Sequence, residues 1–132
     1  MIVGFSIKRM ESEKLGAKQG EMNVNYSSRI TDVEDADVPA IEEKVARVSF
    51  EMSIDYVQGD ENVAEMDFEG TVLWQKDAEE VIEKWKEDED LDENVAATVT
   101  NHIYRKCLTR AVSMADALEL PSPVPMPQVG GS

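Results

Sequence analysis

Residues 48–74 read VSFEMSIDYVQGDENVAEMDFEGTVLW. Apolar side chains stand at even positions on both sides of a short polar turn. They are Val48, Phe50, Met52, Ile54, Tyr56, Ala64, Met66, Phe68, Val72 and Trp74. The odd positions between them are mostly Ser, Glu and Asp. This alternation predicts two strands of an antiparallel hairpin, which share one apolar face and one acidic face.

The turn QGDEN (58–62) sets the register of this hairpin. For both apolar sets to share a face, directly opposite residues must have numbers of equal parity, so the loop is predicted to hold three or five residues. Gly59 supplies the positive φ that such a loop needs. In either register Glu51 lies opposite an acid, Asp67 or Glu69. Opposed like charges destabilise a sheet by roughly a few tenths of a kcal/mol, so folding alone gives no reason for this pairing.

The rest of the chain extends the sheet and adds helices. Strands are predicted at 1–8, 22–31, 44–57 and 63–75, from their alternating apolar residues. Loops are predicted at 11–21, which is polar and holds two glycines, and at 32–43, which holds a proline and an acidic cluster. The predicted class is α+β, a four-stranded antiparallel sheet with two C-terminal helices packed on the even-numbered face of its last three strands.

The two helices are predicted from apolar stripes at helical spacing. Asp77 is expected to cap the first helix, with Glu80 completing a capping box. Asp92 is expected to cap a second helix that reaches about Leu118. The stripes are Ala78, Val81, Ile82 and Trp85 in the first helix, and Val95, Val99, Ile103, Cys107, Ala111 and Met114 in the second. Large side chains expected to be buried are Phe50, Phe68, Trp74, Ile82, Trp85, Val99 and Ile103.

Length and composition bound the class of protein. The 132 residues predict one domain over 1–119, followed by a proline-rich extended tail over 120–132. A net charge of −15 disfavours nucleic acid as a partner and favours basic or unfolded polypeptides, although the same acidity also serves solubility or a salty cell. A single cysteine and the absence of a leader-like or membrane-spanning apolar run predict a cytoplasmic protein without membrane insertion.

No motif for catalysis or cofactor binding occurs in the sequence, so we expect no catalytic residues, no metal and no cofactor. His102 and Cys107 are five residues apart, which is a poor same-face spacing on a helix. Glu65 and Asp67 are paired acids, but they lie on an open strand face without a neighbouring base. A solvated surface is the simpler interpretation of that pair. An enzyme with carboxylates dispersed over loops stays open as a third possibility.

The order of four strands, a short helix, a long helix and a proline-containing tail resembles the SecB family of export chaperones and their archaeal or toxin-associated relatives. The most specific part is HIYRKCLTRAVSMADALELPSPVPMP (102–127), where the aromatic-basic-Cys stretch YRKC (104–107) lies in a late helix before an extended segment. The resemblance implies a sheet with helices on one face, assembly into dimers or tetramers, and ATP-independent holding of non-native polypeptides in apolar grooves.

The resemblance and the composition together indicate two candidate surfaces. The family's acidic sheet face, which in bacterial members docks a basic element of the translocation ATPase, would here be formed by Glu51, Asp55, Glu65, Asp67 and Glu69. Methionine suits surfaces that accept varied sequences, although it also fills irregular cores. The candidate client-binding residues are Met22, Tyr26, Met52, Met66, Met114, Val124 and Met126.

Two functions follow as hypotheses. The first is a holding chaperone for unfolded proteins, in which apolar grooves bind the client and the acidic face steers it. The second is an adaptor or antitoxin-type regulator that uses the same fold on one protein partner, since fold does not determine function. Both versions predict a homo-oligomer, because a lone open sheet leaves the edges of its outer strands unpaired.

Overall fold

The computed structural model describes residues 1–16 and 20–124. Four strands, β1 (Ile2–Lys14), β2 (Asn23–Ala36), β3 (Val45–Gln58) and β4 (Glu61–Trp74), precede two helices, α1 (Ala78–Asp88) and α2 (Glu93–Ala117). The strands form an antiparallel sheet in the spatial order β1-β4-β3-β2. Both helices pack on one face of this sheet. The predicted α+β class and its arrangement are confirmed.

The β3–β4 register has the equal parity that the apolar pattern requires, but the turn differs from the prediction. Gln58 lies opposite Glu61, so the turn has two residues rather than three or five. A bulge then adds Val63 to β4, and from Tyr56 onward opposite residues have numbers of equal parity. The bulge therefore produces the same register that a loop of three or five residues would have produced. Gly59 adopts the expected positive φ of 62°.

Both edge strands are longer than predicted. β1 continues to Lys14, through residues predicted as a loop, because backbone pairing with β4 holds a segment that has no alternating apolar pattern. β2 continues to Ala36, into the predicted loop 32–43. A bulge between Ile30 and Asp32 shifts its alternation by one residue, so Val33 rather than an even-numbered residue faces the core.

The core lies between the sheet and the helices. The residues at most 6% exposed include Phe50, Phe68, Trp74, Ile82, Val99 and Ile103, as predicted. Trp85 is only half-buried. α2 buries every fourth residue, namely Val99, Ile103, Cys107, Ala111 and Ala115, whereas Met114 is half-buried beside this stripe.

The predicted helix caps do not form as side-chain hydrogen bonds. Asp77 is at the N-cap of α1, but its φ of 52° is left-handed, whereas a capping side chain needs an extended backbone. The predicted capping box between Asp77 and Glu80 is therefore wrong. Asp92 is at the N-cap of α2 with an extended backbone, yet its side chain makes no capping hydrogen bond.

Gly70 in β4 is required by close packing. A Cβ at this position would clash with the carbonyl oxygen of Ser6 and would lie 3.0 Å from Cε1 of Phe50. Strand β1 approaches β4 this closely only because the side chain is absent.

Gly70→Ala is expected to lower the free energy of unfolding by about 1–3 kcal/mol, the usual cost of overpacking. Gly16→Ala is the matched control, because a Cβ there would meet nothing within 4 Å. Urea denaturation of both variants tests this. Equal midpoints for the two variants would contradict the close approach of β1 to β4.

Candidate functional site

The sheet face opposite the helices carries charged residues in rows that cross all four strands. One row is Arg9, Glu69, Glu51 and Arg29, in the order β1-β4-β3-β2. Nη2 of Arg29 lies 2.7 Å from Oε2 of Glu51, and Nη1 of Arg9 lies 3.8 Å from Oε1 of Glu69. The opposed acids of the hairpin are thus each compensated by an arginine on an edge strand.

The next two rows on this face hold five acids, which we call the acidic patch. Its members are Glu11, Glu13, Asp55, Glu65 and Asp67. Glu11 forms an ion pair with Arg9, but within the described part of the chain no cation pairs with the other four. Asp67 accepts a hydrogen bond of 2.8 Å from the Ser53 hydroxyl. Four of the five acids and Arg9 line a depression of about 250 Å³.

The helix-covered side of the sheet brings together all three tyrosines of the chain. Tyr26 on β2 and Tyr104 on α2 have ring centroids 6.4 Å apart at an angle of 58°. Tyr26 lies opposite Ile54 on β3, two residues along that strand from Tyr56. We call Tyr26, Tyr56 and Tyr104 the tyrosine surface.

The chain after α2 lies against the tyrosine surface. The Tyr56 hydroxyl donates to the carbonyl oxygen of Pro121 at 2.7 Å, and the Tyr26 hydroxyl donates to that of Pro123. Residues 120–124, which we call the tail segment, therefore present backbone carbonyls to tyrosine donors. Burial raises the pKa of Tyr56 to about 12, so its hydroxyl keeps the proton that it donates at neutral pH.

Local geometry after α2 directs the tail segment onto this surface. Glu119 adopts a left-handed φ of 57°, and the N–H of Leu120 donates to the carbonyl of Ala115 at 2.8 Å. These features end the helix and turn the chain back toward the sheet. The side chain of Leu120 is buried, and the chain that follows bends at Pro123 and Val124.

The predicted acidic-face residues share one surface, but the predicted client-binding residues do not. Glu51, Asp55, Glu65, Asp67 and Glu69 all lie on the sheet face opposite the helices. Met52 and Met66 are 1% and 0% exposed, so these core side chains are not available to a client at the surface. Met22 and Met114 are half-buried against the core. Tyr26 bonds to the carbonyl of Pro123, the residue before Val124, and Met126 is outside the described residues.

Tyr56 and Tyr104 are not among the residues predicted to bind a client or a partner. The sequence places Tyr56 on the apolar face of the hairpin and Tyr104 in the YRKC stretch, although a tyrosine in a core position carries a hydroxyl that needs a partner. Other exposed apolar side chains are Met1, Met10 and Leu15, and the last two belong to the β1 edge or directly follow it.

Cys107 and His102 are the one cysteine and the one histidine of the sequence, and desolvation shifts the pKa of each away from its ordinary value. Cys107 is buried, and burial raises the pKa of its thiol to about 11, which disfavours the reactive thiolate. His102 packs against the ring of Phe5, and desolvation lowers its pKa. Residues 1–16 and 20–124 contain no group of His, Cys, Asp and Glu side chains placed to hold a metal ion. In the same ranges no helix is long and apolar enough to cross a membrane.

A separate cavity of about 630 Å³ lies between α1, the start of α2 and the end of β4. Trp74, Val81 and Val95 give it apolar walls, and charged residues of both signs surround them. Because the charges are mixed, this cavity does not favour one class of ligand.

Comparison with known proteins identifies the fold. The chain matches no protein-family model and no curated protein sequence. Among solved structures it is similar to Rv1957 of Mycobacterium tuberculosis, a SecB-like chaperone in complex with a ChAD peptide from the Rv1956 HigA1 antitoxin. The TM-score is 0.58 at 20% sequence identity, and the match covers 100% of this chain and 91% of the other. The SecB-like fold predicted from the sequence is therefore confirmed.

The charged rows predict opposite effects of two substitutions on stability. Arg29→Gln leaves Glu51 and Glu69 opposed without one compensating cation, so the free energy of unfolding is expected to fall by up to about 1 kcal/mol. Glu65→Gln removes one uncompensated acid, so it is expected to raise that free energy by roughly a few tenths of a kcal/mol.

Urea denaturation at low ionic strength measures both effects. The difference should shrink at about 1 M salt, where the Debye length is about 3 Å. A loss of stability of the same size in both variants would contradict the assignment of compensated and uncompensated rows.

Proposed function

We propose that the protein is an ATP-independent holding chaperone that binds extended segments of non-native polypeptides. The observation that carries this proposal is the seating of a proline-containing peptide, the tail segment, on the tyrosine surface through two hydrogen bonds to its backbone carbonyls. The SecB-like fold supports it, because the similar structure is that of a chaperone holding a peptide. We propose no catalytic step, and the mechanism is binding and release.

Tyr26 and Tyr104, the two members of the tyrosine surface that are not fully buried, supply two kinds of interaction that suit varied sequences. Aromatic rings bury apolar client side chains, at roughly 25 cal/mol per Å² of apolar area removed from water. Tyrosine hydroxyls donate to backbone carbonyls, which every polypeptide carries. Neither interaction requires a particular client sequence. The partly buried Met22 and Val24, close in sequence to Tyr26, would extend the apolar contact.

The acidic patch would act at longer range, on the opposite face. Within a chain of net charge −15, its uncompensated carboxylates attract unfolded segments rich in Lys and Arg and so increase the rate of encounter. The neighbouring row of Glu51 and Glu69 contributes less, because Arg29 and Arg9 offset it. We therefore assign the steering role to Asp55, Glu65 and Asp67 within the predicted acidic face.

A single-partner function is the second candidate. The similar mycobacterial structure contains a peptide from an antitoxin, which is one defined partner rather than a mixture of clients. On this alternative, the same tyrosine surface would bind one extended segment of a regulatory protein. The two candidates differ in the breadth of binding and not in the site.

A homo-oligomer, a dimer or a tetramer, is part of the proposal. β1 and β2 are the edge strands of the described sheet, so each leaves a row of backbone groups without a strand partner. The β1 edge also exposes Met10, and Leu15 directly follows it. Association along β1 would cover both features.

The holding function predicts that the protein suppresses aggregation of several unrelated unfolded proteins without ATP. Light scattering of chemically unfolded clients, diluted with and without a several-fold excess of the protein, measures this. Suppression of all clients supports the chaperone. Suppression of none, together with tight binding of one protein from the host, would support the single-partner alternative.

The two faces predict separable contributions to client binding. Raising salt should weaken binding of a basic client but leave a salt-resistant remainder, since apolar burial is not screened. Replacing Glu65 and Asp67 by Gln and Asn should slow association and flatten the salt dependence. The matched control replaces the ion pair of Arg29 and Glu51 by two Gln residues, which keeps the net charge and should change the salt dependence less. Stopped-flow fluorescence measures the association rate of the client with each variant. Equal changes in rate for the test and control variants would contradict steering by the acidic patch.

The assembly predicts a sedimentation coefficient above that of a monomer at tens of micromolar protein. Met10→Glu should lower the coefficient, because it places a charge on the proposed β1 contact. Ala97→Glu, at an exposed position of α2 away from β1, is the control. A strict monomer for the unchanged protein would overturn this part of the proposal.

A further inference from the structure

The tail segment has the binding geometry that the proposed function requires of a client. Two tyrosine hydroxyls on neighbouring strands donate to backbone carbonyls two residues apart, at Pro121 and Pro123. Backbone carbonyls at this spacing occur in any extended peptide. Proline at these positions has no N–H to desolvate, so it meets the surface only as an acceptor and an apolar ring.

The inner and outer halves of the tail segment are held differently. The inner half is anchored, because Leu120 is buried and Pro121 accepts from Tyr56, whose side chain is 0% exposed. The outer half, 122–124, contains the buried Pro123 and is bound through Tyr26, which is 42% exposed. The Ser122 hydroxyl donates to the carbonyl of Val124 at 2.7 Å, a bond within the outer half itself. Release of the outer half can therefore leave the inner anchor in place.

Space beside the tail segment would admit a longer peptide. An open depression of about 420 Å³ lies along the last turns of α2, where Leu120 and Ser122 form one wall. Val112 contributes apolar surface on the helix side, and Thr109, Ser113 and Asp116 contribute polar groups. A peptide that displaced residues 122–124 could continue along this depression.

We propose that Tyr26 and Tyr104 form a subsite for proline-containing segments, and that residues 122–124 occupy this subsite as an intramolecular competitor of clients. The regulatory part rests on the proposed holding function, whereas the subsite does not. The competitor is tethered directly to its site, so a free segment must displace it before binding. Client affinity is then lower in the full chain than the subsite alone would give.

The first experiment tests the subsite with a fluorescein-labelled peptide of residues 120–132, LPSPVPMPQVGGS. Fluorescence anisotropy is measured against the full chain, a chain ending at Pro121, and a control chain ending at Val124. The chain ending at Pro121 should bind the peptide about tenfold more tightly than the other two. Tyr26→Phe in that chain should weaken binding about fivefold, as expected for one lost hydrogen bond.

A second variant avoids dependence on truncation. Pro123→Gly in the full chain removes the buried ring but retains Tyr26, so it should bind the labelled peptide more tightly than the unchanged chain. Urea denaturation establishes that every variant is folded. The inference is overturned if the peptide binds neither the chain ending at Pro121 nor the Pro123→Gly chain, or binds all chains equally.

Measurements with an unfolded client distinguish the competitor role of residues 122–124 from the holding function. An unfolded client should bind the chain ending at Pro121 several-fold more tightly than the full chain, and the free peptide should compete with it. Equal client affinity for both chains overturns the competitor role, while retention of the client by the full chain still supports holding. If the peptide binds as expected but no chain retains any client, the subsite is supported and the holding function is contradicted.

Discussion

The pairing of β3 with β4 is the constraint on which the structure depends. The paired range begins where Tyr56 faces Ala64 and ends where Ala46 faces Trp74, and opposite residues in it have numbers of equal parity. Over this range the even-numbered side chains of both strands lie on the helix-covered face. A slip of one residue would turn the apolar set toward water. The bulge at Val63 makes this register compatible with a two-residue turn. The same register also opposes Glu51 and Glu69, which then need cations from outside the hairpin.

The register divides the molecule into two surfaces with different physical properties. The helix-covered side joins the core to the tyrosine surface, where apolar and hydrogen-bonding contacts act at short range. The opposite face carries one row of charges that is compensated by arginines and two rows that hold the acidic patch. These charges act at long range and are screened by salt. The SecB-like fold itself does not determine a function. The account of function depends instead on Tyr26, Tyr104 and the acidic patch.

The sequence predicted what depends on local patterns. Alternation located the hairpin, its two faces and the central part of β2, and helical spacing located α1 and α2 together with most of their buried residues. The end of β1 was missed because its residues from Arg9 to Lys14 are mostly polar on both faces and are held by the backbone of β4. The end of β2 was missed because a bulge interrupts its alternation.

Features that depend on contacts distant in sequence could not be predicted. The arginine compensation requires the order β1-β4-β3-β2, which alternation does not contain. The tail segment lies on Tyr26 and Tyr56 across 97 and 65 residues of chain, and no local pattern relates them. Met52 and Met66 were selected for a property of methionine that suits both cores and adaptable surfaces, and the structure buries both. Side-chain chemistry alone did not distinguish those two environments.

Site-specific photocrosslinking tests the central claim most directly, because it asks where an unfolded polypeptide contacts the protein. A benzophenone-bearing residue would replace Tyr104 in one variant and Lys86, an exposed residue of α1, in another. The account predicts that several unrelated unfolded proteins crosslink to position 104, and that the free tail peptide reduces this crosslinking, with little product at position 86. Equal crosslinking at both positions, or none at position 104, would contradict the assignment of client binding to the tyrosine surface.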